Sequence, residues 1–266
     1  MTEVWNITGD LDPDLFIKSL ELVGKRQQLL RTTFKLEDEK IICSVNDEFK
    51  YQYEYVDLSN DGVEDVNGEF DSIARRVSQT IFDLANGPLL NVVICRRNNN
   101  EHSIVINIHH IISDKWSMRL MRKELSEIYS LLKSDGEAEL TPLESQYSEY
   151  AEEQLTKKAN PDSISYWKNN LQGLDQNVSL PSVKAESRNK SLAGKYSRKK
   201  FPSDLDEKVL EFCKLEKVTP FIFFLTIFKT VIHKYTSLDD IVVGTPISTR
   251  SKDCLLYTSP SPRDRG

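Results

Sequence analysis

The sequence lacks the features that mark membrane, secreted and metal-binding proteins. No apolar run approaches the roughly 20 residues that cross a bilayer, and the first residues do not form a signal peptide. The four cysteines are scattered without a C-x-x-C pair, which is typical of buried thiols in a reducing compartment: Cys43, Cys95, Cys213 and Cys254. We therefore expect a cytoplasmic protein with no membrane partner and no metal site.

Positive charge is also scarce relative to negative charge. The 266-residue chain has 35 Lys and Arg against 41 Asp and Glu, which gives a net charge of −6, and it has no long basic run. This balance argues against nucleic acid as the partner. The hydrophobic fraction of 39% is enough for a packed core, and the length suits one large domain or two modest lobes.

Apolar periodicity predicts mixed strands and helices over the first 171 residues. Asp12 is the expected N-cap of the first helix, with Pro13 in its first turn. The predicted strands are 4–8, 32–35, 40–45, 51–56, 89–95 and 103–109, and the predicted helices are 13–30, 70–84, 116–133, 147–155 and 163–171. The three asparagines at 98–100 predict a hairpin between the last two strands.

The composition and the apolar pattern of the sequence change twice after residue 173. Residues 174–195 mix Pro, Ser, Asn and Lys without periodicity, which predicts a connector. Strands are predicted at 196–201 and 240–247, and helices at 205–215 and 220–235. The second of these helices is apolar almost all round, so we expect it to be buried. Residues 253–266 have no core pattern, and we interpret them as a non-native tail; the alternative is an ordinary flexible tail.

The segment 104–114 contains the candidate for chemistry. Alternation along a strand would place Ile108 and His110 on one side and His109 on the other, so we expect the two histidines to have different roles. Asp114 could fix a ring across a turn or anchor the loop by pairing with an arginine. Adjacent histidines on opposite faces cannot both bind one ion without distortion, which disfavours a metal site. By itself this pattern is weak, because a histidine at a strand end is usually structural.

Five segments of the sequence resemble, in the same order, the signature segments of condensation domains of nonribosomal peptide synthetases. They are RQQLLRTTF at 26–34 (RHExLRTxF in the family), HHIISDKWS at 109–117 (HHxxxDGWS), LTPLESQYSEY at 140–150 (LPPLPIQYADY), YWKNNL at 166–171 (YWxxxL) and DDIVVGTPISTR at 239–250 (DDIVVGTPIAGR). The resemblance runs from about residue 4 to residue 251. Together the five segments are specific, whereas the histidine pattern alone is not.

The resemblance implies an α+β fold, a mixed α/β sandwich of two chloramphenicol-acetyltransferase-like lobes in a V, with the active site between them. The second lobe would be incomplete. We expect the N-terminal lobe, without its first elements, at 1–173, the connector at 174–195 and the start of the C-terminal lobe at 196–252. The resemblance also implies peptidyl or acyl carrier protein domains and an adjacent adenylation domain as partners. No cofactor would bind directly, because the carriers present their substrates on phosphopantetheine arms.

The resemblance sorts the site residues into one catalytic residue, four supporting residues and three beside the substrate tunnel. The catalytic residue would be His110. The supporting residues would be His109, Asp114, Arg250 and Arg31. The residues beside the tunnel would be Lys115, Trp116 and Ser117. Asp114 and Arg250 would form a salt bridge between the lobes, His109 would be mainly structural, and Arg31 would support the architecture of the site.

The implied reaction joins a carrier-bound acyl or peptidyl thioester to the amine of a carrier-bound aminoacyl acceptor. An α-amine has a pKa of about 8, so about a tenth of it is neutral at pH 7, and His110 is not obliged to deprotonate an ammonium first. His110 could orient the amine, accept a proton as the bond forms or stabilise the tetrahedral species. Two alternatives stay open: epimerisation or ester formation on the same fold, and an inactive fragment that only docks carrier proteins.

Three departures from the family pattern bear on activity. Lys115 replaces a glycine, which would cost about 1 kcal/mol if that position required a positive φ. Gln27 and Gln28 replace a His-Glu pair and remove a charge near Arg31. Segments at both ends of the family's domain have no counterpart in the sequence. We therefore expect the chain as given to have little or no condensing activity.

Overall fold

The computed structural model describes residues 1–60, 62–138, 140, 142–143, 145–156, 160–174 and 199–245. They form two compact units that divide between residues 158 and 159, and each unit is described by itself. The predicted connector at 174–195 lies outside the described residues apart from residue 174. The assignment of 1–173, 196–252 and the tail 253–266 therefore stays a prediction.

The first unit contains two sheets and four α-helices among its described residues. The strands are β1 (Thr2–Thr8), β2 (Thr32–Glu37), β3 (Lys40–Val45), β4 (Gln52–Asp57), β5 (Leu90–Asn98) and β6 (Glu101–Ile108). The helices are α1 (Pro13–Arg26), α2 (Val66–Ser78), α3 (Lys115–Asp135) and α4 (Tyr147–Thr156), with a 3-10 helix at Gln28–Arg31. The larger sheet has the order β1-β6-β5-β4, and β2 pairs with β3 separately. Only the β4–β5 pair is parallel among these.

Helices cover both faces of the larger sheet, which confirms the predicted mixed α/β sandwich. Alternate residues of β6 point to opposite sides: Ile104 and Ile106 pack with residues of α1 and α3, whereas Val105 packs with residues of α2. The predicted hairpin is confirmed by the antiparallel pairing of β5 with β6. Since β6 is buried along all but its first residue and β5 along its first six residues, the turn that follows β6 starts from a close-packed core.

Two helices of the first unit end earlier than their sequence patterns predict. The N-cap of α1 is confirmed, since Asp12 Oδ1 accepts the Leu15 N–H at 3.0 Å. However, α1 stops at Arg26 instead of about residue 30, because Gln27 takes an extended conformation and a 3-10 turn follows. Helix α2 runs from 66 to 78 instead of 70 to 84, and the Asn107 side chain of β6 donates to the Val77 carbonyl in its last turn.

The second unit contains the helices α5 (Pro161–Asn170), α6 (Ser203–Leu215) and α7 (Pro220–Thr236) among its described residues. The prediction that α7 is buried is wrong for this structure. Its only buried residue is Ile232, whereas Phe221 is 56% exposed and Phe228 is 50% exposed. The described element that packs most on α7 is α6, and one helix covers only a stripe of an all-apolar neighbour.

The two strands predicted for the second unit are not found in the described part of the chain. Residues 199–201 and 240–245 adopt no regular structure, because no described strand lies beside them to form a ladder. The other residues of both predictions, 196–198 and 246–247, lie outside the described residues. None of the helices described here is both long enough and apolar enough to cross a membrane.

Candidate functional site

The two histidines lie in the turn between β6 and α3. Strand β6 ends at Ile108, one residue earlier than predicted, so strand alternation does not set the directions of the two imidazoles. The His109 N–H donates to the Leu89 carbonyl at 3.0 Å, and the His109 carbonyl accepts the Ile112 N–H at 3.2 Å. The two histidines lie in different environments, because His109 is half-buried and His110 is exposed, and their different roles stay a prediction.

The His109 imidazole is occupied by the turn that it belongs to. Its Nδ1 accepts the backbone N–H of Ile111 at 3.0 Å, and the Phe82 ring meets it edge-on at 6.0 Å between ring centroids. A backbone N–H can only donate, so Nδ1 carries no proton and the neutral ring is protonated at Nε2. Burial lowers the pKa of His109, and the positive charges of the Met1 amine and of His110 lower it further.

The His110 imidazole is exposed, and no described residue hydrogen-bonds to it. It therefore does not lie in a dry core, where it could not meet a substrate. An exposed imidazole can accept a proton from a substrate or donate a hydrogen bond to it. The catalytic role of His110 stays a prediction that this placement allows.

Asp114 is the N-cap of α3. Its Oδ1 accepts the Ser117 N–H at 2.8 Å and the Ser117 hydroxyl at 2.7 Å, while the Asp114 N–H donates to Ser117 Oγ at 3.2 Å. This reciprocal capping box fixes the point where the histidine turn becomes a helix. The sequence interpretation missed it, although an aspartate three residues before a serine at the start of an apolar helix is a capping signal. Arg250 lies outside the described residues, so its salt bridge with Asp114 stays a prediction.

The three residues predicted beside the tunnel occupy the first turn of α3. Lys115 is the first residue of the helix and is exposed. It is not among the described residues other than glycine that have a positive φ, so the strain considered for this position does not occur. Trp116 is 42% exposed, and the Arg119 guanidinium lies 5.6 Å above its ring. Ser117 is buried and serves the capping box. Lys115 and Trp116 thus present a cation and an aromatic surface next to the histidine turn.

Arg31 holds the end of α1. Its Nε donates to the Gly24 carbonyl at 3.1 Å, and its terminal nitrogens donate to the Lys25 carbonyl and to the Asn46 carbonyl. The Gln146 side chain donates to the next carbonyl of the helix, that of Arg26, at 3.0 Å. Two side chains therefore bind the last three carbonyls of α1, which have no partner inside the helix. These contacts are compatible with the supporting role expected of Arg31.

Gln27 and Gln28 have partners of their own. The buried Gln27 amide donates to both carboxylate oxygens of Glu124 on α3 at 3.2 Å, and Arg26 pairs with the same carboxylate at 3.2 Å. The Gln28 N–H donates to Gln146 Oε1 at 3.2 Å. The expected loss of a charge near Arg31 is therefore of small consequence, because Arg31 binds backbone carbonyls. The sequence indicates Gln146 only as part of a signature segment, and the structure shows that it joins that segment to α1.

Within the described ranges, no group of three or more His, Cys, Asp or Glu side chains is placed to hold a metal ion. The described site is therefore composed of an exposed imidazole, a neutral imidazole that closes its turn and a capped helix. Such a site can position a nucleophile and accept a proton.

Comparison with known proteins places this geometry in context. The sequence model of the condensation domain matches residues 1–258. A curated relative, part of the linear gramicidin synthase of Brevibacillus parabrevis, is 30% identical over 249 residues, which are 92% of this chain and 5% of the relative. The chain thus spans a small part of that protein's length.

Solved structures that share the fold include the following three. A four-domain nonribosomal peptide synthetase bound to AMP and glycine aligns with a TM-score of 0.71 at 20% identity, over 89% of this chain and 18% of that one. The epimerization domain from the third module of tyrocidine synthetase B gives 0.59 at 22% identity, over 68% and 40% of the two chains. The X-domain in complex with OxyB, from teicoplanin biosynthesis, gives 0.60 at 22% identity, over 70% and 41%.

Proposed function

The chain belongs to the condensation-domain family of nonribosomal peptide synthetases, and from this premise we propose that it joins a carrier-bound acyl or peptidyl thioester to the amine of a carrier-bound aminoacyl group. The amine nitrogen attacks the thioester carbonyl, the carbon–sulfur bond breaks, and the proton lost by nitrogen ends on the departing thiolate. The products are an amide on the acceptor carrier and a free pantetheine thiol on the donor carrier.

The exposed imidazole of His110 is the observation that carries this proposal. Because the described residues leave its ring unbonded, His110 can orient the acceptor amine and take its proton as the new bond forms. His109 cannot do the same, since its Nδ1 is bonded to Ile111. A thioester is already an activated acyl donor, so positioning supplies much of the acceleration.

The proposed partners are the carrier domains that bring both substrates, together with an adenylation domain. Two observations support them. The gramicidin synthase relative is about twenty times longer than the matched region, and one structure of this fold is a four-domain synthetase. Carrier domains would deliver the phosphopantetheine arms as substrates, so the chain itself needs no bound cofactor. We place this synthesis in the cytoplasm, where such carriers would be loaded.

A single-turnover assay tests the reaction. The chain, in excess over an aminoacyl donor carrier and an aminoacyl acceptor carrier, is incubated for hours, and the dipeptidyl carrier is detected by mass spectrometry. Enzyme excess makes slow amide formation measurable. We expect His110→Ala to reduce the rate at least about 10-fold, less than the roughly 100-fold typical of acid–base groups, because the thioester is activated. His233→Ala, an exposed histidine of α7, is the matched control.

The proposal fails if amide forms at the same rate in the chain and in His110→Ala. His233→Ala should match the unmodified chain, since the His233 imidazole contacts Leu238 and Asp239 of its own unit. Equal losses in both variants would point to general damage and would also contradict the assignment to His110.

Epimerisation of a carrier-bound residue is a second candidate, favoured by the fold that the chain shares with an epimerization domain. It would exchange the Cα hydrogen with solvent. Incubation of an aminoacyl carrier with the chain in heavy water, followed by release and chiral analysis, distinguishes the two reactions. Deuterium at Cα together with an inverted configuration would indicate that the chain catalyses epimerisation and not condensation. Amide formation without exchange supports condensation. Product from a hydroxyl acceptor, but none from an amine, would indicate ester formation.

A docking role without catalysis is a third candidate, because a domain of this fold forms a complex with OxyB. It predicts that a loaded carrier binds the chain and His110→Ala with equal affinity, and that neither forms product even with enzyme in excess. Calorimetry with the loaded carrier measures the affinity, and the single-turnover assay supplies the second half of the test.

A further inference from the structure

Two buried asparagines face each other on the central strands of the larger sheet, close to the histidine turn. Asn91 on β5 and Asn107 on β6 are direct register partners, and they are 9% and 3% exposed. Burial of a primary amide is costly unless its polar atoms are hydrogen-bonded, so the partners of these side chains show what the amides hold in place.

Asn107 connects three elements. Its Nδ2 donates to the Val77 carbonyl at 2.7 Å, in a bond that is wholly buried, and its Oδ1 accepts the Thr2 hydroxyl at 3.1 Å. A backbone carbonyl can only accept, so the amide orientation is determined by this contact. Asn91 Nδ2 donates to the Thr80 hydroxyl at 3.2 Å. Both amides therefore bind the segment in which α2 ends.

This anchorage determines where Phe82 lies. Helix α2 stops at Ser78, and the chain then leaves the sheet far enough for Ile81 to be 95% exposed. Phe82 turns back and packs against the core, and its ring lies nearly perpendicular to the His109 imidazole with 6.0 Å between the ring centroids. The segment that carries Phe82 is thus held at two points before it. Asn91 binds Thr80, two residues earlier, and Asn107 binds Val77, five residues earlier.

We propose that Asn107 is a positioning residue for the proposed acyl transfer. Through Val77 and the segment 79–82 it sets Phe82 against the His109 ring, and His109 in turn closes the turn that presents His110. The inference rests on the proposed function for its catalytic consequence. Its structural part, the control of the His109 ring by Asn107, can be measured without any turnover.

The first readout is the tautomer of His109. The chain has 4 histidines, so the ¹⁵N signals of its imidazoles can be assigned by single replacements. In the unmodified chain we expect His109 to be a single tautomer protonated at Nε2. In Asn107→Ala we expect a mixture of both tautomers, because the Phe82 contact loosens and the Ile111 N–H bond to Nδ1 is broken part of the time.

Ser103→Ala is the matched control. Ser103 is buried on the same strand and the same face, and its hydroxyl donates to Asn6 Oδ1 at 2.8 Å on β1, away from the segment that carries Phe82. We expect Ser103→Ala to lose stability without any change in the His109 signals. A second variant, Phe82→Leu, keeps the anchorage and removes only the ring contact. It should reproduce the tautomer mixture even where Asn107→Ala folds poorly.

The second readout is the single-turnover rate. We expect Asn107→Ala and Phe82→Leu to slow amide formation at least about 10-fold, with carrier affinity unchanged, while Ser103→Ala keeps the rate of the unmodified chain. An unaltered His109 tautomer in both variants overturns the proposal, as does a changed tautomer with an unaltered rate. If the unmodified chain forms no amide, the proposed function fails by itself, and the tautomer alone then decides the role of Asn107.

Discussion

Asp114 allows helix capping to be separated from the predicted salt bridge with Arg250. Asp114→Ala removes the Oδ1 atom that accepts both the N–H and the hydroxyl of Ser117. Asp114→Asn keeps an oxygen in the same place, and asparagine caps helices as well as aspartate does. The two substitutions therefore differ in capping, whereas both remove the negative charge.

The expected magnitude follows from these contacts. Loss of an N-cap side chain costs about 1 kcal/mol. The buried Ser117 hydroxyl also loses an acceptor, which adds up to about 1 kcal/mol, since that hydroxyl still accepts the Asp114 N–H. We therefore expect Asp114→Ala to be about 1–2 kcal/mol less stable than Asp114→Asn.

Urea unfolding, followed by circular dichroism, measures this difference. With a slope of about 2 kcal/mol per M of urea, the two variants should have midpoints that differ by about 0.5–1 M. Equal midpoints for Asp114→Ala and Asp114→Asn would refute the capping argument, because the charge would then account for the whole effect of the side chain.

The same variants test the predicted ion pair with Arg250. We expect Asp114→Asn to lose stability in the unmodified chain and to lose less in an Arg250→Gln background, because residue 250 can no longer pair with the Asp114 charge there. A double-mutant cycle should give a coupling of at least about 0.5 kcal/mol. A coupling energy of zero would contradict the predicted salt bridge between Asp114 and Arg250, whereas the capping role of Asp114 would be unaffected.

Two further predictions concern the residues on either side of Asp114. Lys115→Gly should not relieve strain, because Lys115 is the first helical residue, and it should lower the free energy of unfolding by up to about 1 kcal/mol; a more stable glycine variant would contradict the helical conformation of this position. The pKa of His109 is lowered in the folded chain, so the unfolded chain binds a proton first as pH falls. The stabilising contribution of neutral His109 is therefore complete above about pH 6.5 and is lost as pH falls through the folded pKa. The free energy of unfolding, measured with urea, should fall less between pH 7 and pH 5 in His109→Gln than in the unmodified chain. An equal fall in both proteins would contradict the lowered pKa of His109.

Local patterns predicted the elements whose ends depend on nearby residues. The bounds of β3 agree at both ends, and the cap of α1 is the aspartate that its sequence indicates. The central hairpin and α3 were also predicted, because long apolar periodicity and an asparagine turn are local signals. Each of these features is determined by residues that are close together in the sequence.

The errors occur where a distant part of the chain decides the outcome. Apolar residues continue in helical spacing beyond Ser78, yet Asn107, some 30 residues later, binds the end of α2. No pattern within that helix contains this information. The exposure of α7 is similar, since an all-apolar helix indicates that burial is favourable and does not state which surface provides it. The capping role of Asp114 was predictable and was missed because the histidine pattern had already given that residue another role.

The different surroundings of the two histidines follow from how the turn between β6 and α3 is closed. The backbone of His109 continues the pairing of β6 by one residue through Leu89, and its ring then binds the Ile111 N–H, so this imidazole has no free nitrogen at Nδ1. The next residue begins the turn and is carried outward, which leaves the His110 ring exposed. A histidine at 109 therefore stabilises the turn only when it is neutral, whereas the described residues form no hydrogen bond with the ring of His110. Adjacent identical side chains thus lie in different environments, because the backbone pairing with the residues before β5 ends at His109.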